Sequence, residues 1–474
     1  MIFTDWIYFV FFAAVFAAHW LARGRETRLT VLLIASTVFY GWWDWRFVFL
    51  IGFVILIAWA CALRAGDRGL SEARRKTAMW VGVGTALGVL GVFKYFGFFV
   101  DSGVAALQAL GLNAARPTLS ILLPVGISFY VFQAISYVVD VWRGDLRAET
   151  RLRRVALYIG FFPQLVAGPI VRAASFFPQM DRDQRLTRAL VWSGVRAFLL
   201  GFAYKAGLAD NIAPVVDPVF ADVNAWSNEA LVAATLAFGA QIYFDFAGYS
   251  LMAIGVARLF GYYIPENFHW PYASTSITEF WRRWHISLSG WLRDYLYIPL
   301  GGNRKGRALT YRNLMITMLL GGLWHGAAWT FVVWGALHGG ALAVHKWLME
   351  RLPAMPGVAA AQSAAGWVAG LVLTQVFVLF TWVPFRAESF ADTFTVWAAM
   401  TGLRAETGLT LPWSVWLIPL AVGLDAVIAK AGVRRRLGGL FARPSVYWGG
   451  LGVVTGLLIA LYPLNPAPFV YFQF

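Results

Sequence analysis

Long uncharged apolar runs, separated by short basic or glycine- and proline-bearing connections, dominate this chain. They lie at about 6–21, 29–43, 46–63, 77–100, 118–139, 189–208, 229–257, 313–345, 364–385, 411–429 and 446–466. The runs are continuous rather than alternating. That is the pattern of helices in lipid, where an unpaired backbone group finds no water, whereas a barrel needs ten-residue alternating segments. At roughly 20 apolar residues per span, the pattern predicts an all-α polytopic integral membrane protein of about 10–12 transmembrane helices plus re-entrant segments. A single integral-membrane domain over 1–474 is expected, because no stretch is long enough for a large soluble one.

Two segments depart from simple spans. Residues 155–180 are largely apolar, yet they have basic residues at both ends and contain Pro163, Gly168, Pro169 and Pro178, which reads as a re-entrant segment. From Asn313 to His345 there is no Asp, Glu, Lys or Arg. One straight helix of that length would run roughly 50 Å at 1.5 Å per residue, too long for a core of about 30 Å. It must bend, at Gly321-Gly322 or at Gly326. The pairs Gly84/Gly88, Gly322/Gly326 and Gly335/Gly339 have the small-xxx-small spacing of closely packed helices.

Composition agrees: 59% of residues are hydrophobic and only 13% charged, against about 25% charged in soluble domains. The formal net charge of +15 is read as basic loops retained on the cytoplasmic side, so nucleic-acid binding is a poor reading of it. Basic connections at 23–28, 64–76 and 143–154 alternate with poorer ones around Asp44 and 102–117. The positive-inside rule then sets the N-terminus outside. Arg23, Arg25 and Arg28 follow the first run instead of preceding it, the reverse of a secretory signal, which makes it a retained span. One cysteine, Cys61, forms no intramolecular disulfide, and no Cys/His cluster has metal-ligand spacing, so no metal is expected.

Ionisable groups inside a membrane are expensive and tend to mark function. Of six histidines, His325 is the deepest, in Gly-Gly-Leu-Trp-His-Gly-Ala-Ala-Trp (321–329). A neutral imidazole there suits a general base near neutral pH; a packed histidine bonded to a carbonyl is the equal alternative. The second segment of interest is 279–305, where Glu279, Arg282, Arg283, His285, Arg293, Asp294, Asn303, Arg304 and Lys305 are interleaved with aromatics. Such Trp and Arg residues either anchor an interface or recognise the phosphates of a cytosolic donor. His338 and His345 read as structural, and His19 and His269 have no constellation. Gln133, Gln164, Gln241 and Asp245 are further polar positions in apolar runs, and Asp245 needs a partner. The sequence has no Gly-x-Ser-x-Gly elbow, P-loop or evident internal repeat, so a serine hydrolase, a nucleotide-driven pump and an inverted-repeat transporter gain no support.

Several motifs together resemble the membrane-bound O-acyltransferases, within them the bacterial branch containing alginate O-acetyltransferase. They are Leu-Leu-Pro-Val-Gly-Ile-Ser-Phe-Tyr (122–130), Phe-Phe-Pro-Gln-Leu-Val-Ala-Gly-Pro-Ile (161–170), Gln-Ile-Tyr-Phe-Asp-Phe-Ala-Gly-Tyr-Ser (241–250), the segment 279–303, Gly-Leu-Trp-His-Gly (322–326) and Pro-Phe-Val-Tyr-Phe-Gln-Phe (468–474). The resemblance covers nearly the whole chain and is weakest over 386–445. It implies a bundle around a central tunnel, with His325 as the catalytic histidine and His285 as a second functional one. It also implies an acyl group taken from a cytosolic thioester and passed to an acceptor on the far side.

On that resemblance acetyl-CoA is the expected donor, as a substrate and with no bound cofactor. Trp324, Asn303 and Asp294 join the substrate-binding candidates, and Arg282, Arg283 and Arg304 are candidates for the donor's phosphates. Expected partners are the lipid bilayer, a periplasmic or membrane-anchored acetyltransferase as a separate polypeptide, and a polysaccharide acceptor such as alginate. D-alanyl transfer from a carrier-protein thioester to a cell-wall polymer is the near alternative. A proton-coupled lipid-sugar transporter is the alternative from another class.

Overall fold

The computed structural model describes residues 1–115, 121–351, 364–428 and 431–441, with scattered positions beyond, among them Phe469 and Val470. The start of the 118–139 run, most of 446–466 and the ending 471–474 lie outside the described residues. Among those described, the regular elements are helices, and no strand occurs. The chain forms two compact units, one of residues 1–199 and 249–265, the other of residues 200–248 and 266–474.

In the first unit, α1 (Trp6–Leu21), α2 (Arg25–Gly41), α3 (Arg46–Gly66) and α4 (Glu72–Leu90) follow the apolar runs. A π-helical turn at Gly91–Tyr95 links α4 to α5 (Phe96–Ala109), and α6 (Ile127–Arg143) packs against α3 and α4. A methyl group on Gly82 would sit 3.0 Å from the Cβ of Cys61, so α3 and α4 touch there through small residues. At Gly84 and Gly88 nothing lies within 4 Å among the described residues. The close packing expected of that pair is therefore not made by the described residues.

The proline-bearing segment breaks into α7 (Leu152–Gly160), α8 (Phe162–Leu165) and α9 (Ala173–Met180). It is buried nearly throughout, since residues 154–171 carry no exposed position. The breaks follow from the sequence: Gly168 and Pro169 fall between α8 and α9, where proline cannot continue a helix ladder. Arg154 clamps its ends, meeting Glu149 at 2.9 Å, Asp181 at 2.8 Å and the carbonyl of Phe177 at 3.2 Å. Arg153 pairs with Glu26.

The hydrogen bond from Arg154 holds the Asp181 carboxyl below the usual carboxylate range. Asp181 thus stabilises this unit above the pKa it has in the unfolded chain, and that contribution is lost as pH falls through the depressed folded value. We expect Asp181→Asn to lower the melting temperature at pH 7 and to flatten its fall below about pH 4. Parallel wild-type and variant melts across that range in detergent check this; an equal acid slope in both would remove Asp181 from the account.

The second unit contains α10 (Arg188–Phe202) from Leu200 onward, a π-helical turn at Ala203–Ala209 and α11 (Asp210–Ala221). The helix α12 (Asn228–Leu259) belongs to this unit through Gly248 and to the first from Tyr249. Over its most apolar stretch α12 is 89% buried, as suits a helix that is apolar all round. Then come α13 (Ile277–Arg283), α14 (Ile286–Leu292), α15 (Arg307–His325), α16 (Trp329–Arg351), α17 (Ala364–Arg386), α18 (Phe390–Met400), α19 (Ile418–Ile428) and α20 (Ala431–Phe441). Four helices in the described residues are long and apolar enough to cross a membrane, those beginning at Arg46, Glu72, Asn228 and Ala365.

The uncharged stretch bends at Gly326, where α15 stops and α16 begins three residues later. The two helices form a tight hairpin. A Cβ on Gly335 would lie 2.3 Å from the carbonyl oxygen of Met318, and one on Gly322 would lie 2.2 Å from that of Phe331. Backbone cannot yield as a side-chain tip can, so Gly335→Val must push the helices apart. We expect it to abolish a cooperative melt or lower the melting temperature strongly, while Gly88→Val, with the same spacing in sequence, leaves it unchanged. A detergent thermal-shift comparison of the two decides.

Candidate active site

His325 is the last residue of α15, directly before the bend, and is 2% exposed. Its ring lies 5.0 Å from Trp324, 5.0 Å from Trp334 and 5.3 Å from Phe385, measured between centroids. Trp334 comes from α16 and Phe385 from α17, so three helices wall it with aromatic surface. His285 lies in the break between α13 and α14, fully buried, with its ring 6.4 Å from that of His325 and 5.7 Å from Trp324. Phe246 of α12 packs edge-on to His285 at 4.6 Å. Two imidazoles from separate segments thus share one buried aromatic chamber, where low dielectric strengthens any electrostatic interaction.

Local chain geometry sets His285 in place. Its backbone is left-handed, at φ 43° and ψ 54°, a conformation uncommon for a residue with a side chain. Trp270 is also left-handed, at φ 48°. The segments carrying these residues are tied together: His269 N–H donates to the Arg283 carbonyl at 2.9 Å, and Ile286 N–H donates to the Asn267 carbonyl at 2.9 Å. Strained residues held by their surroundings cluster at functional sites.

Of the residues proposed from sequence, His285, His325 and Trp324 come together. The polar and charged candidates are exposed or paired with other groups. Arg282 is exposed, and Arg283 forms an ion pair with Glu279 at 2.7 Å. Asp294 is bound by Arg293 at 2.6 Å. Asn303 and Arg304 are exposed in the turn that precedes α15. A cavity of about 630 Å³ in this unit is lined mostly by apolar groups, with Tyr272, Glu279, Arg283 and Gln375 among its polar positions. Neither histidine lines it.

Lys205, Asp245, His338 and His345 have side-chain partners of their own. Lys205 meets Asp210 at 2.6 Å and Asp245 at 2.7 Å, all three buried, and the second oxygen of Asp245 accepts the Val470 N–H at 2.7 Å. The partner needed by Asp245 is therefore Lys205. His338 accepts from the indole N–H of Trp281 at Nδ1, 3.2 Å away, so its own proton is on Nε2 and is donated to Thr381 Oγ1 at 3.0 Å. With Thr381 donating in turn to the Val378 carbonyl at 2.8 Å, both ring nitrogens of His338 are used in packing α16 against α13 and α17. His345 Nδ1 is 2.9 Å from Thr278 Oγ1. Among described residues, no group of three metal-ligating side chains exists.

Sequence reading missed Asn267, which bonds to His285, and missed Trp334 and Phe385 as walls of the chamber. Periodicity could not have found them: Asn267 is in a loop, and the aromatics are two of many in apolar helices.

Comparison with known proteins narrows the reading. The model of the membrane-bound O-acyltransferase family matches residues 150–380, a span that includes both histidines. A protein of Azotobacter vinelandii named "Probable alginate O-acetylase AlgI" is 43% identical over 400 residues, covering 84% of this chain and 78% of its own. The peptidoglycan O-acetyltransferase of Helicobacter pylori is 34% identical over 405 residues, covering 79% and 73%. The teichoic acid D-alanyltransferase of Streptococcus thermophilus is 32% identical over 275 residues, covering 54% and 65%. These extended similarities, with the helical architecture of the described residues, lead to one assignment: the chain belongs to the membrane-bound O-acyltransferase family, as a multi-pass membrane O-acyltransferase.

Proposed function

We propose that the protein takes acetyl from cytosolic acetyl-CoA and passes it across the bacterial inner membrane for O-acetylation of an exported polysaccharide such as alginate. The observation that carries this reading is the chamber in which His285 and His325 stand 6.4 Å apart between ring centroids, walled by aromatics. The relatives named as alginate and peptidoglycan O-acetylating enzymes support the acetyl group and the polymer class.

A thioester is already activated, so three tasks remain. The acceptor hydroxyl must lose its proton, its oxygen must reach the carbonyl carbon, and the thiolate must leave. His325 removes the hydroxyl proton. The new C–O bond forms as the C–S bond breaks, and the thiolate takes up a proton. His285, Trp324, Asn303 and Asp294 orient donor or acceptor, and Arg282, Arg283 and Arg304 meet the phosphates of CoA as it arrives from the cytoplasm. Reaction through a tunnel lets acetyl cross while the charged carrier stays behind, sparing the cost of moving its phosphates through lipid. The acceptor is a separate acetyltransferase at the periplasmic face, which completes the transfer to the polymer. The N-terminus lies on that face.

The test is donor competition in native membrane vesicles, which hold the acceptor, using acetyl-CoA or a D-alanyl carrier-protein thioester. Acetyl-dependent thiol release that vanishes on deletion of the gene is the expected result. Release from the carrier thioester alone would transfer the reading to D-alanyl chemistry.

A further inference from the structure

The position of the proton on His285 can be read from Asn267. Three groups converge on the side-chain oxygen of Asn267: His285 Nδ1 at 3.1 Å, Ser287 N–H at 3.2 Å and the Ser287 hydroxyl at 2.8 Å. A backbone N–H only donates, so the atom it meets must be the amide oxygen and not the nitrogen. The ring nitrogen facing that oxygen must then carry hydrogen. Asn267 is 1% exposed, so water does not compete for these bonds. The Asn267 carbonyl also accepts from Ile286 N–H at 2.9 Å, and the four bonds together hold residues 285–287 in their left-handed start. We infer that Asn267 is the positioning residue of His285, holding its proton on Nδ1 so that Nε2 is the atom that presents a lone pair to the reaction.

The inference deepens the proposed function, because it rests on His285 being part of the reacting centre, and it adds which atom acts. An acceptor hydroxyl or an incoming thiol can hydrogen-bond to Nε2 only while the proton stays on Nδ1. The tautomer, and not only the ring position, is thus built into the loop. Ring neighbours of His285 among the described residues are Phe246, Phe268 and Trp324, which carry no charge, and the second imidazole, His325. Its own segment carries Arg282 and Arg283, the latter paired with Glu279, and Asp245 beside Phe246 on α12 is paired with Lys205.

Two measurements test it. The first is the solid-state nitrogen spectrum of histidine-labelled protein in lipid, with the His285 signals assigned by their loss in His285→Gln. A neutral ring protonated at Nδ1 is expected, redistributed toward Nε2 in Asn267→Ala; a wild-type proton on Nε2 would overturn the inference. The second is the pH profile of CoA release. Asn267→Ala is expected to lower kcat roughly ten- to a hundredfold, the range seen when a metal-bound histidine loses its orienting partner. Asn267→Asp keeps the acceptor oxygen and adds a negative charge, which favours the imidazolium, so the acid limb should move up by about one pH unit or more. An unmoved acid limb with equal losses of activity and melting temperature in both variants would reduce Asn267 to a structural role and overturn the inference. The spectrum needs no turnover, so it decides the proton's place separately from the proposed function, which full activity in His285→Gln would contradict.

Discussion

His325→Ala is expected to lower the turnover of acetyl-CoA by about 10²- to 10⁴-fold, the range that a positioned general base contributes, while the protein still folds. Folding should survive because the chamber is closed by neighbours that do not depend on the imidazole: Trp334 stacks on Trp382 at 6.1 Å and meets Phe385 at 5.4 Å. Removal of the ring leaves a small cavity, which costs stability but not the hairpin, whose contact runs through Gly322 and Gly335. The KM for acetyl-CoA should change little, since the donor candidates Arg282 and Arg304 are exposed whereas the His325 ring is buried. His285→Ala should also lose most activity. If the two histidines act as a unit, the double variant will lose little more than either single one, the non-additivity expected of cooperating catalytic groups. Thiol release and a detergent melt on the same four preparations measure both. Independent, multiplying losses would mean that the two rings serve separate steps.

The second large effect belongs to stability. Lys205 is 3% exposed and its two carboxylate partners are each 1% exposed. Lys205→Met leaves Asp210 and Asp245 facing one another without that cation, and breaking a buried pair from one side typically costs about 3–5 kcal/mol. Asp245→Asn removes one negative charge, keeps the Lys205–Asp210 pair and preserves an oxygen for the Val470 N–H. We therefore expect Lys205→Met to lose most folded protein on solubilisation and Asp245→Asn to retain it. Size-exclusion profiles and melting temperatures of the two variants supply the comparison. Equal tolerance of both would show that the cluster does not hold α11 to α12. The same cluster ties Val470 to α12, and Phe469 lies 5.7 Å from Phe246, the residue packed on His285.

Much of this was legible in the residues because lipid leaves the backbone few choices. Continuous apolar runs became α1 to α3, α12 and α17, the proline-bearing 155–180 broke into short buried helices, and the uncharged stretch bent at Gly326. Depth alone singled out His325, and it is indeed buried beside His285. What sequence could not provide is contact between distant segments. Asn267 reaches His285 across 18 positions through a loop that has no period. Lys205 reaches Asp245 between a π-helical turn and a long helix. Gly84/Gly88 and Gly335/Gly339 look alike as spacings, yet one meets none of the described residues and the other meets backbone, because a small residue records permission to approach and not the approach itself. His338 reads as structural in the sequence, and the indole of Trp281, 57 positions away, is a partner that only the structure supplies.

The central claim is tested most directly in proteoliposomes with acetyl-labelled CoA supplied at the cytoplasmic face and the native envelope acceptor at the other. The account predicts free CoA on the donor side and label on the acceptor side in equal amounts, both lost in His325→Ala. An intact thioester, with label or a lipid-linked sugar crossing only under a proton gradient, would contradict it.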